Sequence, residues 1–104
     1  MASDAVRKRW VWIAEYIRDK TRGTGVDVLN SDFVDDYVEA FGLRVHIMMW
    51  GANKCPQLGR DLSAMTKCGY LKRSRVGLSG NWQPGFPKWV WGYTLGQYAE
   101  FLIK

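Results

Sequence analysis

Over residues 62–99 the chain carries Lys67, Lys72, Arg73, Arg75 and Lys88, and not one Asp or Glu. The same stretch holds Tyr70, Trp82, Phe86, Trp89, Trp91 and Tyr93. Cations without counter-acids attract a polyanion, and aromatic rings among them offer faces to bases. Charge clustered on one segment in this way is the electrostatic footprint of a nucleic-acid binder. Just upstream, Gln57, Arg60, Ala64 and Lys67 recur at spacings of three, four and three. On a helix that spacing makes one continuous outward face of polar, basic and small residues.

Catalytic chemistry finds little to work with. His46 is the one histidine, and it sits inside the apolar run 45–50. It reads as a partly buried imidazole rather than a base or a ligand. One His and two distant Cys cannot build a zinc site, and no Cys-x-x-Cys pair is present. No phosphate loop or dinucleotide fingerprint appears. Asp35, Asp36 and Glu39 crowd one helix face without a lysine partner, which suits a solvated surface better than a divalent-ion site. The chain is expected to be a non-enzyme with no metal and no cofactor.

The elements that must position these residues follow from period and punctuation. Val6, Trp10, Ile13, Ala14 and Ile17 form one apolar stripe, which predicts a helix over 3–20, within a first segment 1–22. Ser3 can cap it and Gly23 to Gly25 end it. Trp12 and Tyr16 widen the stripe. Residues 25–29 read as a short extended piece, a possible edge strand. Asn30 or Ser31 then caps a second helix in 31–42, with Phe33, Val34, Tyr37, Val38 and Phe41 inward and Asp32, Asp35, Asp36 and Glu39 outward. Gly42 fits the position just past its end. Residues 43–50 are a buried strand or a short helix, because periodicity cannot separate the two at that length.

A third helix is expected over 53–69, with Pro56 in its first turn, Leu58, Leu62 and Met65 inward, and Gly69 closing it. Gly59 inside it costs about 1 kcal/mol relative to Ala. That cost fits a close approach of a nucleic-acid backbone, a packed neighbour, or simple tolerance. Residues 70–95 read as a hairpin with a turn-rich loop over 79–87. In its second strand Trp89, Trp91, Tyr93 and Leu95 alternate on one face. Trp89 and Trp91 are expected in the core. Trp82 and Phe86, on the loop, either stack on a base or fold back over the hairpin. A short amphipathic tail over 96–104 carries Tyr98, Phe101 and Leu102.

The order helix, short strand, helix, helix, strand, long basic loop, strand resembles the winged helix-turn-helix family. The run QLGRDLSAMTKCGYLKRSRVGL at 57–78 carries the likeness: a leucine-bearing helix, a Gly-Tyr-Leu exit, and basic residues at once afterwards. The resemblance covers nearly the whole chain. It implies an α+β domain of three helices and a C-terminal β-hairpin wing, with the third helix in the major groove of DNA. Gln57, Arg60, Ser63, Ala64 and Lys67 would then face base edges and phosphates. Lys72, Arg73, Arg75 and Lys88 would hold phosphates and set register. Asn53 and Lys54 would meet a phosphate at the helix N-terminus. Trp82 would reach the nucleic acid from the wing. One departure is that 42–52 separates helices two and three by about eleven positions, far more than the few residues of a tight helix-turn-helix turn.

At 104 residues the chain has the size of one domain, and its 47% apolar content suits a packed core. A net charge of +5 favours an acidic partner. No segment approaches the roughly 20 apolar residues needed to span a bilayer. No apolar signal region follows the charged start, so a cytoplasmic or nucleoid-associated place is expected. Cys55 and Cys68, on one helix, would lie about 20 Å apart, too far for a disulfide. The resulting expectation is a small double-stranded-DNA-binding protein, a transcriptional regulator or phage-like accessory factor. It would form a homodimer, if at all, through the first helix and the tail. A protein-interaction module on the same scaffold and a single-stranded nucleic acid or RNA binder are the alternatives.

Overall fold

Burying the two amphipathic N-terminal stripes against a third helix and a sheet is what organises this chain. The computed structural model describes residues 4–43, 46–47, 53–78 and 88–103. In chain order the elements are α1 (Asp4–Asp19), β1 (Val26–Asp27), α2 (Ser31–Phe41), β2 (His46–Ile47), β3 (Asn53–Lys54), α3 (Pro56–Lys67), β4 (Leu71–Gly77) and β5 (Trp89–Leu95). A 3-10 turn, Ala99–Phe101, follows. The architecture is therefore α+β, with three α-helices and a three-stranded antiparallel sheet. No described helix is long and apolar enough to cross a membrane.

Ile13, Ala14 and Ile17 of α1 are buried, as the stripe requires. They meet Phe33, Val34 and Tyr37 of α2 and Leu58, Leu62 and Met65 of α3 in one core. Removing each large apolar side chain from water stabilises the fold by about 1.5–3 kcal/mol. Trp12 joins an aromatic cluster between α1 and α2. It stacks on Tyr16 at 5.1 Å and turns an edge contact to Phe41 at 5.9 Å. The ring is partly buried there. Ser3, its expected cap, lies outside the described residues.

Both ends of α2 match their residues. Asn30 caps the start by accepting from the Phe33 amide, and Gly42 ends the helix in the left-handed conformation at φ 61°. Within the ambiguous stretch after it, the described pair His46–Ile47 is strand: β2 pairs antiparallel with β3, His46 opposite Lys54. β3 also packs against α2.

It also corrects the third helix. That helix was expected from residue 53, with Asn53 and Lys54 in its first turn. It starts instead at Pro56, and Asn53 and Lys54 belong to β3. The cause is local: Pro56 clashes with an α conformation in the residue before it, so Cys55 stays extended at φ −112°, ψ 107° and caps the helix. Asn53 and Lys54 therefore precede the helix N-terminus as strand instead of forming its first turn.

Gly69 closes α3 at φ 82°. The Gly69 amide donates to the Thr66 carbonyl and the Tyr70 amide to the Met65 carbonyl, the paired bonds of a Schellman turn. The chain thus passes from α3 into β4 in three residues, and α3 packs on β4. In the sheet, β5 lies between β1 and β4. Val26 pairs with Tyr93, and Leu71 with Leu95 through Gly77 with Trp89. In the tail, Ala99, Leu102 and Ile103 turn inward while Tyr98 and Phe101 face solvent. Leu102 is therefore the inward side of the amphipathic tail, part of the core. Both cysteines are free, Cys55 buried and Cys68 exposed at opposite ends of α3.

Gly59 has open space where a side chain would go, which excludes the packed neighbour as its reason. Gly59→Ala is expected to stabilise the fold by about 1 kcal/mol, raising Tm by about 4–8 °C in a thermal melt.

Candidate nucleic-acid interface

The core stripe of α3 contains an acid. Asp61 falls between Leu58 and Leu62 on the inward side and is 3% exposed. Its carboxylate accepts from Arg9 Nε at 2.8 Å and Nη2 at 3.3 Å, from Trp10 Nε1 at 3.2 Å, from Gln57 Nε2 at 3.1 Å, and from the Tyr37 hydroxyl. Donors from all three helices therefore converge on one buried carboxylate. Hydrogen bonding to Asp61 lifts the Arg9 pKa, fixing its charge. Burial pushes the Tyr37 hydroxyl well above the tyrosine range, and its bond to Asp61 adds to the shift. Sequence reading missed this node. The available signal was its position: spacings of three, one and three from Leu58 through Leu62 to Met65 put residue 61 on the core side of a helix.

The outward face of α3 then reads differently at each expected position. Arg60 and Lys67 are exposed, and Ser63 and Ala64 are half-buried. Gln57 is half-buried with both ends of its amide engaged: its NH2 donates to Asp61, and its oxygen accepts from Arg60 Nη2 at 3.2 Å. Gln57 therefore ties an exposed cation to the buried node and is not free to read a base.

On the hairpin, direct cross-strand pairing puts Arg73, Arg75, Trp91 and Trp89 on one face, with Lys72 on the other. The guanidinium of Arg73 lies over the Trp91 ring at 4.4 Å, and that of Arg75 over Trp89 at 4.3 Å. Trp89 and Trp91 meet edge to face at 5.0 Å. These indoles were expected in the core. Trp91 is only partly buried, and Trp89 is 39% exposed. The alternation is as the sequence implies, and Trp91, like Leu95, packs partly buried against the core, whereas Trp89 lies beyond it. The faces the core leaves open are covered by the two arginines.

Among the described residues, ion pairs join only Arg9 to Asp61 and Arg18 to Glu15 and Asp19. Arg60, Lys67, Lys72, Arg73, Arg75 and Lys88 are exposed, with no carboxylate in ion-pair range among those residues. The acids of α2, Asp32, Asp35, Asp36 and Glu39, are exposed on a different element. No three His, Cys, Asp or Glu side chains converge among the described residues. Trp82 and Phe86 lie outside the described residues, as do the side chains of His46, Asn53 and Lys54. No family model, curated protein or solved structure matches the chain.

Proposed function

We propose that this protein binds double-stranded DNA as a small winged helix-turn-helix regulator, with α3 in the major groove and the β4–β5 hairpin on the sugar–phosphate backbone. One observation carries the reading. Within α3, β4 and β5 the single acid, Asp61, is buried and held by Arg9, so the exposed charges there are all positive. The element order and the short Schellman link between α3 and β4 support it, since they set Lys67 and Lys72 on either side of one tight turn. Arg60 and Lys67 are the cations that α3 offers to a groove. Arg73, Arg75 and Lys88 belong to the backbone contact, with Lys72 joining it from the hairpin's other face, and such contacts position without reading sequence.

The test is a salt titration of duplex affinity. Four to six neutralised phosphates give a log–log slope of about −4 to −5 and an affinity loss of about 10²–10³ between 50 and 200 mM salt. A binding constant unchanged across that range rules the reading out. One observation favours a protein contact as well: Tyr98 and Phe101 are exposed side by side, Phe101 at 68%. A second copy meeting at the tail would leave Phe101→Ser monomeric in a light-scattering measurement that finds the parent dimeric.

A further inference from the structure

We propose that Trp91 and Trp89 are positioning residues, which hold the Arg73 and Arg75 guanidinium groups as two oriented forks for neighbouring phosphates of one nucleic-acid strand. This rests on the duplex-binding reading above and goes further by assigning the hairpin face its geometry and its ligand atoms.

The register supplies the argument. Arg73 sits opposite Tyr93 yet lies over Trp91, and Arg75 sits opposite Trp91 yet lies over Trp89. Both side chains therefore lean by one pair in the same direction along β5. Their origins are two residues apart on β4, about 6.8 Å at strand rise. That is the order of the separation between neighbouring phosphates along one strand. Leaning together preserves the spacing, and the edge-to-face contact of the two indoles fixes the platform beneath.

An arginine over a ring keeps its full charge and most of its N–H donors, whereas an ion pair would consume both. Arg73 also sits directly across the strand pair from Tyr93. A long cationic side chain ordinarily loses rotamer freedom when it grips a phosphate. Here that ordering is already in place before the ligand arrives. Lysine could not substitute, because it presents a point charge with no planar fork.

The experiment compares the parent with Arg73→Lys/Arg75→Lys and with Trp89→Leu/Trp91→Leu, by anisotropy of a labelled mixed-sequence duplex across a salt series. Both variants keep all three positive charges on β4. Each is expected to bind about tenfold more weakly, the size of two exposed cation–π contacts. Their log–log salt slopes should match the parent's, since no phosphate contact loses its charge. The doubly substituted lysine variant leaves both indoles intact and keeps the test decisive if the leucine variant fails to fold. Lysine variants that bind within twofold of the parent overturn the proposal, because charge alone then suffices. Folded leucine variants of parental affinity overturn it too. A parent that shows no salt-dependent binding brings down the duplex reading itself, a result distinct from either of these.

Discussion

Asp61→Ala is expected to destabilise the fold by about 3–5 kcal/mol, lowering Tm by at least about 12 °C. The magnitude follows from what is stranded. The alanine removes the acceptor for Arg9, Trp10, Tyr37 and Gln57 at once, and Arg9 is left with a charge in a mostly buried place. Truncating one partner of a buried ion pair costs far more than the pair is worth, because the survivor keeps its desolvation cost without compensation. Arg9→Ala should therefore hurt less, since Asp61 keeps three other donors. Arg9→Met/Asp61→Leu should recover part of the loss by replacing both charges with apolar volume. Urea unfolding of the four proteins gives the ranking. An Asp61→Ala variant within about 1 kcal/mol of the parent would mean that the node does not tie the helices together.

This node also shows where sequence reading stops. The stripes of α1 and α2 were legible because many apolar residues repeat, so one misfit cannot hide the period. Asp61 was not, since an isolated acid between Arg60 and Leu62 looks like surface unless its helical phase is weighed against its chemistry. The two-residue strands β2 and β3 carry too few positions for any period to register. Pro56 did contain the information that the helix could start no earlier, through the restriction it places on Cys55. For Trp89 and Trp91, alternation gave the correct face. How far the helices extend over that face is a tertiary fact that no local pattern holds. Among the positions proposed from the sequence, Arg60, Lys67, Lys72, Arg73, Arg75 and Lys88 are exposed and available, whereas Gln57 is tied inside the protein.

The largest functional effect should come from removing four of those cations together. Arg60→Ala/Lys67→Ala/Arg73→Ala/Arg75→Ala is expected to lose about three orders of magnitude in duplex affinity at 0.1 M salt, with the log–log slope shallower by about 3.6. Stability should fall by no more than about 2 kcal/mol, the two cation–π contacts, because all four side chains are exposed. Binding and folding thus separate in this variant, whereas Asp61→Ala acts first on stability. Asp32→Asn/Glu39→Gln on α2 is the matching control, since it changes charge on an element that does not contribute to the proposed interface. Repulsion between α2 and a polyanion should fall in that control, so its affinity should hold or rise slightly. If instead the control strengthens binding by as much as the arginine and lysine removal weakens it, the duplex is docking on α2's side, and the acid-free surface of α3 and the hairpin is not where contact is made. If the quadruple variant binds like the parent, the contact lies elsewhere altogether. Only a selective loss from the α3 and hairpin cations fits a molecule whose one acid there is turned inward and held by an arginine.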